Sequence, residues 1–496
     1  MRADEGAGRS RPHGPQATGP QATGHGAADG PVGAAAARDQ AARDQRVIAR
    51  LERLPLSRFH APFYTFLGIG TFFDSYNSLA IASALSVVFI DLHISLSQAG
   101  SLLGIAYLGQ LAGALVFGVA SERFGRKPVF IASLLVMGVF ALVTAFAWSY
   151  TSLYWFRLVE GFGLGGEVPV AVALFNEVVK GSRRGTLVAI YEALFGWGVF
   201  LTPLIAYGLL QAFGPAVSWR VLFGIGAVPA VAAIPAMRLL PESPRWLVHR
   251  GKTRQAEAIV ARGEDYARAR NKALPEPAPV PPLDGRKSRF HELLSRAYLG
   301  RTVTLWLIWF MAYFVQYGFT VWLPGLYVRV GHLPAGDSLL LTAASGAVGV
   351  AGAYALVWLL DTWGRRPTFL VSFGFMVVGA IFGCVTIGLL GQDGWPWLFA
   401  SSLVMLVGGG VLAVGVYIYT PELYPTRMRG WGTSFCSTGN RLASYLAPTI
   451  VGNLLGAGLG LGWVFLVMLA ASVIGLVVMW LFGPETKGKI LEELAA

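Results

Sequence analysis

Long apolar stretches, separated by short polar connections, make up most of the chain after about residue 60. Each is close to the length that an α-helix needs to cross the roughly 30 Å hydrocarbon core of a bilayer. The pattern predicts an all-α, polytopic membrane protein with twelve spans, at approximately 62–89, 98–120, 128–147, 151–175, 186–211, 219–240, 301–328, 338–360, 367–390, 396–419, 431–456 and 462–482.

The composition supports a membrane protein and not a string of soluble domains. Only 13% of the 496 residues are charged, against about 25% in soluble domains. The net charge of +12 would suit a nucleic acid partner, but its distribution excludes that class. All Lys and Arg fall on one side of the predicted membrane except Arg157, Arg220, Arg329 and Arg441. This asymmetry predicts that both termini are cytoplasmic and that the protein lies in the cell membrane.

The predicted organisation has five parts. Residues 1–58 form a tail, rich in Gly, Ala and Pro at its start and predicted to be disordered there. Near its end Val47, Ile48, Leu51 and Leu54 recur at helical spacing. They predict a short amphipathic helix, either lying against the membrane or simply solvated. Two six-helix bundles, 59–240 and 301–483, flank a basic cytoplasmic linker at 241–300, and 484–496 form a cytoplasmic tail.

Three motifs occur once in each half of the chain. GVASERFGRKP at Gly118–Pro128 recurs as VWLLDTWGRRP at Val357–Pro367. NEVVKGSRRG at Asn176–Gly185 recurs as PELYPTRMRG at Pro421–Gly430, and PES at Pro241–Ser243 recurs as PET at Pro484–Thr486. The repeats predict two six-helix units related by pseudo-symmetry.

These motifs resemble the major facilitator superfamily from about residue 46 to the end of the chain. PESPRWL and PETKGK are similar to the sugar-porter and metabolite-carrier branches. RLERLPLSRFH, the acid in the first span and RLVEGFGLGGEVP in the fourth are most similar to metabolite:proton and aromatic-acid:proton symporters. The resemblance implies the major facilitator fold and alternating-access transport. Aromatic-acid symporters usually carry a second acid where this chain has Asn77, so the proton stoichiometry stays open.

Two charged residues inside predicted spans are candidates for transport chemistry. Asp74 lies near the middle of the first span. A carboxylate at that depth that faces a cavity could load and release a proton, although a structural acid paired with a neighbouring helix is the alternative. Arg441 lies in the eleventh span and cannot lose its charge. Its planar fork matches a carboxylate, so it could bind an anionic substrate, although it could also snorkel to the interface.

The fourth span carries Arg157, Glu160 and Glu167, which share one helical stripe that we expect to face the bundle interior. Arg157 and Glu160 can pair at i, i+3, either as a structural pair or as part of the site. Glu167 has no local partner and is the better candidate for proton coupling, with Glu160 as a further one. Glu192 in the fifth span is a weaker candidate of the same kind.

The seventh span supplies polar and aromatic groups at the depth of Asp74. Repeat-built transporters place their substrate site near this midplane. The predicted substrate-binding set is Arg441, Tyr76, Asn77, Arg157, Gln316, Tyr317 and Asn440.

Charged residues of the repeated motifs are the predicted cytoplasmic gate, a role that the family resemblance implies. They would hold the cytoplasmic face closed and separate when it opens. The set comprises Glu122, Arg123, Arg126, Glu177, Arg184 and Glu242 in the first half, and Asp361, Arg365, Glu422, Arg429 and Glu485 in the second.

The predicted function is secondary active transport, specifically proton-coupled symport of a small organic anion such as an aromatic or other monocarboxylate. A sugar or polyol porter is the first alternative, and a nutrient sensor that binds without transport is the second. The chain has no Ser/His/Asp, Cys/His or phosphate-loop arrangement, so we do not expect an enzyme. We expect no metal, cofactor or disulfide framework, and a monomer whose partners are its substrate, protons and lipid.

Overall fold

The computed structural model describes residues 31–180, 184–269, 274–278, 290–391, 394–425 and 428–487. Within these ranges, the side chains of 31–38, 184–190, 192, 353, 355–358 and 361 are also outside the description. The predicted disorder before residue 31 and the side chains of Arg184, Glu192 and Asp361 therefore lie outside the described residues.

Every regular element in the described ranges is a helix. The α-helices are α1 (Pro31–Glu52), α2 (Ala61–Asp91), α3 (Leu96–Phe124), α4 (Arg126–Thr144), α5 (Tyr150–Val178), α6 (Arg184–Phe213), α7 (Pro215–Ile225), α8 (Val228–Leu239), α9 (Pro244–His249), α10 (Thr253–Arg268), α11 (Leu299–Thr320), α12 (Leu323–Arg329), α13 (Ala335–Trp363), α14 (Arg365–Gly383), α15 (Trp395–Glu422), α16 (Arg429–Gly456) and α17 (Leu461–Phe482). Short 3₁₀ turns occupy Arg58–His60 and Phe290–Leu294, and α14 continues as a π-helical turn, Cys384–Leu389.

The helices make twelve membrane crossings in the described part of the chain, which confirms the predicted fold. Two crossings are broken helices: α7 and α8 form the sixth, and α11 and α12 form the seventh. Each second piece has proline in its first turn, where a missing N–H leaves no helical hydrogen bond unmade. By length and composition alone, ten segments of the described residues qualify as spans. The other two crossings are α13, which packs against α6 and α15, and the polar α16, which packs against α3 and α11.

The two ends of the bundle differ, and they are named here by their sequence. The basic face carries the repeated motifs at the α3–α4 and α13–α14 turns, together with α1, α9 and α10. Gly125 and Gly364 occupy equivalent turns there with φ of 114° and 101°, a conformation that favours glycine. The short-loop face, at the opposite end, carries the α2–α3 and α4–α5 connections.

The two halves contact each other near the short-loop face. The α3–α16 pair approaches there so closely that a Cβ on Gly100 would lie 2.6 Å from the Pro448 carbonyl oxygen. Gly452 faces Gly100 from α16 with similar tightness. Toward the basic face, Gly118 on α3 and Gly430 on α16 have no atom within 4 Å of the Cβ position. The same helices that meet at the short-loop face therefore approach no neighbour at these two positions near their basic ends.

Helix α1 packs against protein, which differs from the expected position on the membrane. Val47, Ile48 and Leu51 are buried in one apolar cluster with residues of α9 and α10. Arg50 and Arg53 both bind Glu264 of α10, at 2.8 and 2.7 Å. An amphipathic face fits a lipid surface or a protein surface equally well, so the sequence pattern alone could not distinguish them.

Candidate substrate and proton site

Asp74 lies inside the bundle and is only 6% exposed. Its Oδ1 is buried and has no hydrogen-bond partner, and no ion pair reaches its carboxylate in the described residues. Arg441 is the cation that interacts electrostatically with it, beyond ion-pair distance. A buried acid without a direct partner can change its protonation state without breaking a structural contact.

Arg441 is also unpaired by any carboxylate among the described residues. Its Nη1 donates to the Oγ of Ser437, one turn earlier on α16, at 3.0 Å. Its Nε is buried and has no partner, and the residue is 7% exposed. The guanidinium thus retains donors for a further group, and a bidentate carboxylate is the group that its fork fits best.

A column of aromatic rings on α11 ends at Tyr317, the ring that interacts with both charges. Trp309, Tyr313 and Tyr317 stack at one-turn spacing along α11, with centroids 5.8 Å apart in each step. Tyr317 also meets Tyr107 of α3 in an edge contact at 4.9 Å, which joins the two halves at the level of the site. Tyr317 interacts electrostatically with both Asp74 and Arg441. A planar ligand between the two charges would therefore lie beside an aromatic surface.

Arg157, Glu160 and Glu167, on α5, are buried as expected. Arg157 is bound by other groups of the protein. Its Nη1 lies 2.9 Å from Glu160 Oε1 and donates at 2.9 Å to the backbone carbonyl of Asn77. The Phe223 ring lies 5.6 Å from the guanidinium, and Thr144 donates to Glu160. Breaking a buried pair of this kind is costly because it leaves an uncompensated charge. The geometry supports the structural reading of Arg157 and Glu160.

Glu167 is fully buried on the same stripe, closer to the basic face. It accepts hydrogen bonds from Thr71 of α2 and Tyr191 of α6, both at 3.3 Å. Gly70 leaves the space that its carboxylate occupies. The structure therefore places Glu167 in a contact of three helices, about one helical turn from Asp74 along α2.

Tyr76 and Asn77 point away from Asp74 and pack against the broken sixth crossing. The Tyr76 hydroxyl donates to the Leu222 carbonyl at 2.8 Å, and Asn77 donates to the Gly226 carbonyl at 3.2 Å. Leu222 and Gly226 lie where the helix is interrupted, so these side chains satisfy its backbone groups. We assign both residues this packing role and leave them out of the proposed pocket.

Gln316 and Asn440 are partly exposed and lie on the helices that carry Tyr317 and Arg441. The Gln316 carbonyl oxygen is buried against Gly409 without a hydrogen-bond partner. Asn440 accepts a hydrogen bond from Ser444, one turn along α16, at 3.0 Å. Gln316 therefore keeps unused hydrogen-bonding capacity beside the site, whereas Asn440 already uses one acceptor locally.

The repeated motifs form two matching clusters on the basic face. In the first half, Arg126 binds Glu122 and Glu177 at 2.8 and 3.1 Å. In the second half, Arg365 binds Glu422 at 2.7 Å. Each cluster lies within one half, so it ties neighbouring helices of that half together.

Glu242 and Glu485 cap equivalent helices beside these clusters. Glu242 accepts the first two N–H groups of α4 at 3.0 and 3.1 Å, and Glu485 accepts those of α14 at 3.0 and 2.9 Å. Burial raises the pKa of Glu242 despite its backbone donors. For Glu485 burial acts in the same direction, but backbone donors outweigh it and hold the pKa below its usual value. The recurrence of PES and PET is thus explained by helix capping.

Two predicted gate residues are not brought into these clusters. Arg123 is exposed and its guanidinium lies over the Phe124 ring at 5.4 Å. Arg429 donates to the Tyr424 carbonyl at 3.2 Å. Motif spacing placed them at the basic face, but the direction of each side chain depends on local helix geometry.

The sequence reasoning missed the contacts of the short-loop face. Asp91, at the end of α2, accepts from Trp219 at 3.0 Å and pairs with Arg220 at 3.3 Å. Arg329 of α12 lies 4.1 Å from the Phe89 ring, across the boundary between the halves. Arg220 and Arg329 were visible as exceptions to the charge asymmetry, which was the available signal.

Two six-helix halves around a central, charged site define a multi-pass membrane transporter. No group of three or more His, Cys, Asp or Glu that could hold a metal occurs in the residues that the structure describes. The family model "Sugar (and other) transporter" matches residues 58–496, so the chain belongs to this family of the major facilitator superfamily. Membership confirms that the protein is a transporter and not an enzyme.

Curated relatives cover almost the whole chain. The niacin transporter NiaP of Acinetobacter baylyi is 30% identical over 450 residues, 90% of this chain and 99% of the relative. The 4-hydroxybenzoate transporter PcaK of the same organism is 29% identical over 450 residues, 88% and 94% of the two chains. The inward-open structure of the xylose transporter XylE from E. coli has a TM-score of 0.68 at 19% identity, covering 87% of this chain and 98% of that one. This last likeness shows the fold.

Proposed function

We propose that the protein is a proton-coupled symporter of a small aromatic or other monocarboxylate. The main support is that Asp74 and Arg441 are buried, oppositely charged and close enough to interact, yet form no ion pair. Both charges are costly at this depth, and a paired structural role would bring them into contact. An anion bound by Arg441 and a proton carried by Asp74 would each compensate one of these charges.

The coupling follows from charge balance in the site. With an ionised Asp74, the site carries one negative and one positive charge, and a carboxylate substrate would add a second negative charge. A proton on Asp74 removes the competing negative charge, so the anion binds Arg441 more favourably. Reciprocally, the bound anion favours the proton on Asp74, and the two load together. Glu167, in contact with α2 one turn away, is proposed as a further residue of the proton path.

The two faces of the bundle suggest how the proposed transport cycle proceeds. The positive-inside pattern supports a cytoplasmic basic face, with both termini inside. The Arg126 and Arg365 clusters would act as rigid cytoplasmic ends of the two halves, which approach each other when the cavity closes on that side. The protein is proposed to work as a monomer in the cell membrane.

The sugar or polyol porter remains the second candidate, because the family model and the solved xylose transporters favour it. A neutral sugar gives Arg441 no charge to bind, and its buried Nε would stay unsatisfied. The niacin and 4-hydroxybenzoate transporters among the relatives carry aromatic acids according to their names, which supports the first candidate.

Uptake into proteoliposomes tests the proposal. Nicotinate, 4-hydroxybenzoate, a short aliphatic carboxylate and xylose are offered with and without an inward proton gradient. We expect gradient-driven accumulation of aromatic acids and its loss in Arg441→Gln, with partial recovery in Arg441→Lys, which keeps the charge but not the fork. Accumulation of xylose alone would contradict the proposal. Binding without exchange of labelled for unlabelled acid would support a sensor instead.

A further inference from the structure

Thr71 is a buried residue next to the two acids that the proposed mechanism uses for protons. It lies on α2, three residues before Asp74, and is 1% exposed. Its hydroxyl donates to Glu167 Oε1 at 3.3 Å. Asp74 is itself only 6% exposed, so a proton that leaves it needs neighbouring groups to carry it.

Helix geometry makes Asp74 and Thr71 neighbours. Side chains three or four residues apart on a helix share one face, with Cβ atoms about 5–6 Å apart. Each side chain also leans toward the N-terminus of its helix, so the carboxyl group of Asp74 extends toward Gly70 and Thr71. Because Asp74 Oδ1 has no hydrogen-bond partner in the described residues, it can turn to Thr71 without giving up a protein contact.

Glu167 reaches the same turn of α2 from the neighbouring helix α5. A Cβ on Gly70 would collide with the Oε1 atom of Glu167 and lie against its Cδ and Cγ atoms. Glycine at this position therefore admits the Glu167 carboxylate to the surface of α2. The two carboxyl groups converge on the Gly70–Thr71 turn, and the Thr71 hydroxyl is the polar group next to both.

Glu167 is also connected toward the basic face. Tyr191 of α6 donates to the same Oε1 atom at 3.3 Å. Tyr191 lies about two turns after Arg184, where α6 begins at the basic face. Glu167 therefore lies on the basic side of Asp74, the side on which a proton carried inward would be released.

We propose that Thr71 relays the proton of Asp74 to Glu167 when the site releases its substrate toward the basic face. The O–H bond of Asp74 breaks as its proton joins the Thr71 oxygen, while the proton that Thr71 held passes to Glu167 Oε1. Thr71 ends with one proton, as it began, Asp74 becomes ionised and Glu167 becomes neutral. Arg441 attracts the negative charge that appears on Asp74. This inference rests on the proposed function and adds a residue to its proton path.

The test compares Thr71→Val, which removes the hydroxyl and keeps the shape, with Thr71→Ser, which keeps the hydroxyl. Each full-length variant is placed in proteoliposomes with labelled nicotinate. One assay measures uptake driven by an inward proton gradient. The other measures exchange of labelled for unlabelled acid at equal pH on both sides, which needs no release of the proton.

We expect Thr71→Val to slow gradient-driven uptake by roughly tenfold or more, since a positioned proton-transfer group contributes about 10²-fold or more to the step that it serves. Its exchange should stay near that of the unaltered protein, and Thr71→Ser should recover uptake. Uptake by Thr71→Val at the unaltered rate would overturn the inference. An equal loss of uptake and exchange would also overturn it, because Thr71 would then serve packing alone.

Thr202→Val is the matched control. Thr202 is fully buried on α6, but its hydroxyl donates to the Gly198 carbonyl of its own helix at 2.6 Å. The change should leave uptake and exchange as they were. A loss of uptake equal to that of Thr71→Val would contradict a specific role for the Thr71 hydroxyl.

Gly70→Ala tests the relay from the side of the acceptor, because the added methyl group would displace the Glu167 carboxylate. It should slow gradient-driven uptake and retain exchange, and uptake at the unaltered rate would count against the relay. The unaltered protein separates the two levels of the account. If it accumulates no acid under a proton gradient, the proposed function fails; if it and Thr71→Val accumulate acid equally, the relay alone fails.

Discussion

The close contact of α3 with α16 near the short-loop face makes a conformational prediction. A Cβ on Gly100 would lie 2.6 Å from the Pro448 carbonyl oxygen and 2.8 Å from the Gly452 Cα, against an ordinary contact of 3.4–4 Å. The obstructing atoms are backbone, so Gly100→Ala must push the helices apart. Overpacking of this kind costs about 1–3 kcal/mol. The cost applies only where the helices touch, so the state with this contact should lose population roughly 5- to 150-fold relative to a state in which the two helices separate here.

Cysteine labelling measures this shift. Ser437 lies beside the guanidinium of Arg441, and Ser437→Cys would report access to the site in a protein whose Cys384 and Cys436 have been replaced by serine. We expect Gly100→Ala to slow labelling by a membrane-impermeant maleimide applied from the basic face. Gly118→Ala, on the same helix, is the control, because its added Cβ would meet no neighbouring group within 4 Å. Equal labelling rates in the two variants would show that the Gly100 contact does not control access to the site.

Three further predictions concern stability. Arg157→Met should lower the thermal unfolding temperature in detergent more than the double variant Arg157→Met/Glu160→Met, because the single change leaves a buried acid unpaired; equal losses would contradict the pairing. Glu242→Gln should destabilise the protein by about 1 kcal/mol through a weaker cap on α4, and an unchanged denaturation curve would argue against the cap. Two arginines hold the pKa of Glu264 at about 2, below its ordinary 4.5. Docking of α1 should therefore be complete above pH 4.5 and weaken as the pH falls toward 2, which limited proteolysis by pepsin would detect as faster cleavage between α1 and α2.

The sequence predicted the scaffold well because its signals are local and repeated. Span length follows from runs of apolar residues, and the motif turns follow from glycine and from acids that recur in both halves. Glu242 and Glu485 could be paired by sequence alone, and the structure gives them the same capping contacts. The fold class and the transporter class could therefore be predicted from the sequence alone.

The interior of the site was less predictable, for physical reasons. Tyr76 and Asn77 lie next to Asp74 in sequence, but successive residues of a helix point about 100° apart, and these two meet the broken sixth crossing. Tyr107 was missed because one tyrosine in an apolar helix has no sequence signal; its edge contact with Tyr317 across the two halves becomes evident only in the structure.

The account depends most on Asp74 as the residue that couples protons to substrate. Asp74→Asn removes the titratable group and keeps its size, and Asp91→Asn provides the control on the same helix, at the short-loop face. With an aromatic acid and an inward proton gradient, we predict that Asp74→Asn abolishes accumulation above equilibrium but retains exchange of labelled for unlabelled substrate, and that Asp91→Asn still accumulates. Gradient-driven accumulation by Asp74→Asn at the unaltered protein's level would contradict the account.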